Sequence, residues 1–460
     1  MNQRTPLSRR RWLQSLAGAS LAPWVAGTAH AAPPESAWLS AFRPFDAPGF
    51  TGELLTNEVT VQGQLPAALR GTLYRNGPTR FQRGQSRLSH WFDGDGMVQA
   101  LRFDAGRASH RGRFVATPKQ AAEAQAGRFL YGGFGSTVAD PAPVGNPDVV
   151  NAANINLLST NGGRSLYALW EGGSAIQIEP QTLATLGPKA WSPETAKAPF
   201  GAHPRAMPDG TVWNFGYMPG SGKLLVYHIG PDGQLKRQAL LDMPQADMVH
   251  DFAITGQHLV FLLPPFKYQR PEGGQANLMA GMRWDAQAPM RVGVVRMADL
   301  SVAFVTELPH GGVFHLGNAW EEGGLIHLGC AQHPAMHELI DHLRIVASPE
   351  PQARVGSRWM EVQINLAQRS ARQQDAGLPD VEFPRWDQRH TGQRTPLLTL
   401  LQRSAAMDPH VFGFDTVLAR VGDAQGGRVQ RHAYGDGWVA EEHLHVPHPD
   451  KPADTDGWRS

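Results

Sequence analysis

The chain has 460 residues with 50 glycines, 36 prolines and 13 tryptophans. That is more than one simple core holds and rich in turn formers, so two domains or a ring of repeated modules is needed. A formal net charge of +1, with no run of Lys or Arg forming a basic stripe, gives no sign of nucleic acid as a partner, and the single cysteine, Cys330, excludes an internal disulfide and fits folding in a reducing compartment.

Taken in order, the chain opens on Ser8-Arg9-Arg10-Arg11-Trp12-Leu13, which resembles the twin-arginine export motif. A mildly apolar stretch from Leu16 to Ala26 follows, then Ala29-His30-Ala31, a small-x-small cleavage site. Residues 1–31 are therefore expected to be a signal peptide, leaving 32–460 as the mature domain. Its apolar part is too short to cross a membrane as a helix. The twin-arginine machinery is the expected export partner and the periplasm the expected location.

The mature sequence reads as short strands between turns. Leu73-Tyr-Arg-Asn-Gly-Pro78 ends one strand, and His90-Trp-Phe-Asp-Gly-Asp-Gly-Met97 signals a tight hairpin in which His90 and Asp93 are structural. Lys119 to Phe134 is the best helical insertion of the first half. Asp209-Gly210, Gly220-Ser-Gly222 and Asp232-Gly233 each lead an apolar alternating run. Pro264 to Met290 breaks this rhythm as a lid or surface loop. Ala331 to His342 is expected to be a short helix on which His333 and His337 share a face, more plausibly solvated than metal-binding because no acid lies between them. Gln368 to Leu378 is polar and is expected to be a loop. The pattern suggests a β-propeller or a sandwich.

Three histidines end or begin such strands. They are His203 in Gly-Ala-His-Pro-Arg, His250 in Asp-Met-Val-His-Asp-Phe, and His315 in Val-Phe-His-Leu-Gly-Asn-Ala-Trp-Glu-Glu. Their wide separation suits a metal on an axis to which several repeats each give one residue. A neutral imidazole ligates well when its second nitrogen is held by another group.

The chain resembles the carotenoid cleavage oxygenases, including their stilbene-cleaving members. The matching words, in family order, are Leu73-Tyr-Arg-Asn-Gly-Pro, His90-Trp-Phe-Asp-Gly-Asp-Gly-Met, Leu169-Trp-Glu-Gly-Gly, Ala202-His-Pro-Arg and Met248-Val-His-Asp-Phe-Ala-Ile-Thr. Arg283-Trp-Asp, Phe314-His-Leu-Gly-Asn-Ala-Trp-Glu-Glu, Val381-Glu-Phe-Pro-Arg and Asp456-Gly-Trp continue the match. The resemblance implies an all-β, seven-bladed propeller with a helical and loop cap, here with its last blade incomplete. It implies a non-haem Fe(2+) held by His203, His250 and His315, with Glu171, Glu382 and Glu442 accepting imidazole N–H groups. The family's fourth histidine lies in a Phe-His-Gly-like word beyond the segment Asp454-Thr-Asp456-Gly-Trp458, which no residue here matches. His443, His445 and His448 lie nearby but match a non-ligating stretch. Ile155 falls where some members shield one coordination position, or is an ordinary buried strand residue. The implied reaction is oxidative cleavage of a conjugated C=C bond in a carotenoid or apocarotenoid, with O2 as co-substrate and possible peripheral membrane contact for an apolar substrate. Stilbene cleavage and a catalytically inactive propeller are the alternatives. The lysine of stilbene-cleaving members falls near Gly133, which favours a carotenoid.

Overall fold

Apolar residues at every second position, cut by turns that only glycine relaxes, force the chain into successive antiparallel strands. Lys223–Ile229 shows the pattern, with Leu224 and Val226 buried on one face before Tyr227 and Ile229 are buried on the other, and the turn beyond it places Gly233 at φ +74° with Asp232 Oδ1 accepting the Gln234 N–H at 3.1 Å. The computed structural model describes residues 43–47, 50–271, 277–346, 356–407, 413–422, 428–435 and 438–448; residues 1–31, expected to be a signal peptide, lie outside them.

Six sheets of four or five strands follow one another in sequence among the described residues, beside two small two-stranded ones. The first pairs Glu53–Thr56, Arg107–Phe114, Asp95–Asp104 and Gly71–Arg75, with Pro78–Arg80 added beside Asp95–Asp104. Four-stranded meanders then run from Asn156 to Pro188, from Arg205 to Asp242, from Ala253 to Leu308, from Gly312 to Pro379 and from Val381 to Ala433. We call these sheets blades one to six. The core is divided between neighbouring blades rather than pooled. Val98 and Ile176 belong to a cluster between blades one and two, and Phe200 and Tyr227 to one between two and three. Phe215, Phe252 and Phe261 pack between three and four, Val292 and Leu328 between four and five, and Trp359 and Leu400 between five and six. Burying each such side chain contributes about 1.5–3 kcal/mol, so each blade is stabilised mainly by the blade or blades next to it in sequence. This is propeller logic.

Several expectations need correction. Six blades are present among the described residues, not seven, and the sixth carries four strands like blades two to five. The segment 438–448 adds no further sheet there; it touches the sixth blade through an isolated Phe414–Ala440 bridge. The first helix is Pro118–Ala126, capped by Thr117 Oγ1 accepting the Gln120 N–H at 3.1 Å and stopped at Gly127, φ +64°; it does not reach Phe134. The second helix is Met336–His342, so His333 ends the strand Leu325–His333 and shares no helix face with His337. The polar stretch expected as a loop is the outer strand Ser370–Pro379, mostly exposed because one ladder partner is all it has. Among the described residues, no helix is long and apolar enough to cross a membrane.

Candidate metal centre

The first strand of each later blade begins near a common point, and that is where the histidines gather. His203 precedes Arg205–Ala206 of blade three, and His250 precedes Ala253–Ile254 of blade four. His315 lies inside Gly312–Glu322 of blade five, at a place where pairing with the next strand slips twice, between Val313 and Leu316 and between Leu316 and Ala319. Such bulges re-aim a side chain. Glu382 opens blade six beside another slip, and the next residue, Phe383, holds φ +54° without being glycine. That conformation is costly and persists only where the surroundings enforce it.

One candidate ligand nitrogen from each of His203, His250 and His315 lies within 4.8 Å of the others. His203 Nε2 and His250 Nε2 are 2.8 Å apart, and the ring centroids are separated by 4.5, 5.0 and 5.1 Å. Two ring nitrogens that close either share one proton or face one cation. Burial, then the neighbouring His250 and His315, hold the His203 imidazolium far below its ordinary range, so His203 is a neutral lone-pair donor. Burial also pushes His250 down, but the Glu171 carboxylate outweighs it and raises the group. Three converging imidazoles with carboxylates behind them fit a divalent transition metal by donor chemistry.

The outer contacts are unequal. Glu382 Oε2 lies 2.7 Å from His315 Nδ1 and Oε1 lies 2.6 Å from His333 Nε2. Burial raises this carboxyl, but the two histidines reverse that and bring it to about 2, so it is a carboxylate at any working pH. With Glu382 holding the Nδ1 proton of His315, the lone pair of that ring is left at Nε2. Glu171 Oε2 is 3.0 Å from His250 Nδ1, an electrostatic contact without hydrogen-bond alignment, and its Oε1 accepts the Tyr217 hydroxyl at 3.4 Å. Glu442 departs from expectation. Its carboxylate is paired with Arg385 at 2.8 Å rather than hydrogen-bonded to His203, His250 or His315. Arg385, three residues after Glu382, is half-buried and takes this carboxylate as its counter-charge.

The other candidates are structural. His90 Nδ1 caps a short turn by accepting the Phe92 N–H at 3.1 Å, and Asp93 accepts N–H groups of Phe134, Gly135 and Ser136 at 2.5–3.1 Å. Ile155 packs into the apolar cluster between blades two and three. His443 meets the Tyr434 hydroxyl at 2.6 Å and His445 approaches Asp387 at 3.4 Å, and neither joins the cluster. His333 was misjudged from sequence. The alternating Ile326, Leu328 and Cys330 leading up to it are the signal that would have placed it on a strand. Beside the histidines stands an apolar wall. Phe314 lies edge-on to His250 at 5.2 Å between centroids, and Phe134, Met248, Phe266, Met282 and Met336 pack around it.

A profile of the family described as retinal pigment epithelial membrane protein (RPE65) matches residues 50–459. The apocarotenoid-15,15'-oxygenase of Synechocystis is 34% identical over 286 residues, 58% of this chain and 57% of that protein, so the match spans under two thirds of the relative. Carotenoid cleavage oxygenase 1 of Neurospora crassa is 28% identical over 442 residues, 89% of this chain and 80% of its own. The crystal structure of the cobalt-substituted Synechocystis oxygenase superposes with a TM-score of 0.76 at 26% identity, covering 89% of this chain and 87% of that one. The chain belongs to the RPE65 family, the carotenoid cleavage oxygenases.

Proposed function

We propose that this family member is a non-haem Fe(2+) oxygenase that cleaves a conjugated C=C bond of a carotenoid or apocarotenoid into two carbonyl products, consuming O2. The observation that carries the reading is the cluster of His203, His250 and His315, whose donor nitrogens converge within 4.8 Å at the start of three consecutive blades. Ferrous iron held by these imidazoles would supply the redox chemistry that ground-state O2 needs to attack an alkene. The protein's own groups do the rest. Glu382 holds the Nδ1 proton of His315, Glu171 offsets charge at His250, and the wall around Phe314 excludes water and accepts an apolar polyene.

Gly133 supports a carotenoid over a hydroxystilbene. A Cβ there would meet Asp93 Oδ1 at 2.1 Å, so a lysine able to hold a phenol cannot replace it without moving Asp93 and the three N–H groups it binds. The test supplies the iron-loaded chain with an apocarotenoid and, separately, with a hydroxystilbene, and identifies carbonyl products by mass. Aldehydes or ketones from the polyene alone are expected. Cleavage of the stilbene alone would overturn the substrate assignment, and no product from either would overturn the enzyme.

A further inference from the structure

One buried ion pair lies immediately beside all three histidines. Arg205, two residues after His203, directs one terminal nitrogen to Asp251 Oδ1 and Oδ2 at 2.6 and 2.7 Å and to the Leu316 carbonyl at 3.0 Å, while its Nε donates to the Phe252 carbonyl at 2.8 Å. Asp251, next to His250, accepts the Leu316 N–H at 2.8 Å and the Phe252 N–H at 2.7 Å. Leu316 is next to His315. The guanidinium also stacks over Trp386 at 4.9 Å, four residues from Glu382. Arg205 and Asp251 are 8% and 3% exposed. One cation thus joins the inner ends of blades three, four, five and six, with one or two residues separating it from each imidazole.

We infer that Arg205 and Asp251 are positioning residues that fix the spacing of His203, His250 and His315 for a metal. Leu316 is the single residue paired between the two slips in its strand, opposite Cys330, so the ladder holds it at one point only. Its N–H and C=O are held by the pair instead, and with them the direction of His315. A planar fork is needed, because a carboxylate and two carbonyls must be met at once; a lysine ammonium reaches fewer of them in fixed directions. A merely stabilising ion pair would serve as well anywhere in the core, and the chain has one at Arg83 and Asp95, equally buried, whose ionic partners are Lys119 and Glu123 rather than neighbours of the three histidines.

The inference rests on the metal reading above, and cobalt(II) is the probe because its visible bands report both affinity and coordination geometry. The full chain, Arg205→Lys, Asp251→Asn and the control Arg83→Lys are titrated with cobalt(II), and the metal-free melting temperature of each is recorded. Asp251→Asn is nearly isosteric and serves if Arg205→Lys does not fold. Both axial variants should bind cobalt(II) about 10–100-fold more weakly with a shifted band, the range seen when groups behind metal ligands are lost. Arg83→Lys should lower the melting temperature while leaving the cobalt affinity and band unchanged. Parent-like affinity and band in a folded axial variant would overturn the inference, as would an equal loss in Arg83→Lys. A parent chain that takes up no cobalt(II) would instead overturn the metal reading.

Discussion

At the scale of single residues, the charge on the cluster decides what it can hold. His203 is kept neutral by burial beside two other imidazoles, whereas Glu382 is ionised and receives His315 and His333 on separate oxygens. Removing His315 should abolish metal uptake, while the cavity left costs only about 1–3 kcal/mol of stability. Glu382→Gln keeps the shape, reverses one hydrogen-bond polarity and should weaken metal about 10–100-fold. Metal content by atomic emission, beside the melting temperature of each variant, checks both. Full metal occupancy in His315→Ala, with only the melt lowered, would make that histidine structural. His203, His250 and His315 were legible because each sits in a distinctive local word. His333 was not: its partner Glu382 is 49 positions away, and a single sequence carries no sign of such a pairing.

At the scale of elements, the helix Pro118–Ala126 shows how a charged segment is buried without a metal. Lys119 lies 3.0 Å from Asp95 and 2.7 Å from Glu123, Arg83 also meets Asp95, and all four side chains are at most 7% exposed. Two cations balance two anions, and Glu123 further accepts the Leu130 and Tyr131 N–H groups. Burial raises the Asp95 carboxyl, but Lys119 and Arg83 outweigh it and leave it below its ordinary 3.8. The stability it contributes is therefore complete above pH 3.8 and is lost as pH falls through the lower folded value. Burial lowers Lys119, but Asp95 and Glu123 outweigh that and raise it above 10.5, so its share is complete below that pH and lost as pH climbs through the raised value. Asp95→Asn should cost about 3–5 kcal/mol at pH 7, and the gap to the parent should narrow at pH 3, below the ordinary 3.8 at which the unfolded chain's carboxyl takes up its proton while the folded one still resists it. Urea melts at both pH values measure this; an unchanged gap would refute the role. The helix was legible up to Gly127, where a left-handed glycine ends it. Ser370–Pro379 was illegible, because an outer strand with one covered face has the composition of a loop.

At the scale of the whole molecule, the propeller character was legible and its blade number was not. The Asp-Gly turns and alternating runs announce strands, but no word repeats from blade to blade, so sequence gives no unit to count. Each blade instead uses its own apolar set against its neighbours, from Val98 and Ile176 to Trp359 and Leu400. A core divided in this way also bears on how the protein reaches its place of work. If the three histidines load iron only when the blades that carry them are assembled, loading requires the folded chain, and a folded chain needs an export route that tolerates folded cargo. We propose that Ser8-Arg9-Arg10-Arg11-Trp12-Leu13 supplies that route and that the mature protein, from about Ala32, works in the periplasm. The lone Cys330 is buried and free, consistent with folding where disulfides do not form. The twin-arginine signal depends on paired guanidinium groups rather than on charge alone. Replacing Arg9 and Arg10 together by lysine should therefore leave the charge unaltered and strand the folded precursor in the cytoplasm. Fractionation of expressing cells, with the metal content of each fraction measured, is the check. Periplasmic yield equal to that of the parent would refute the route, and a periplasmic protein that gains iron only after export would separate metal loading from it.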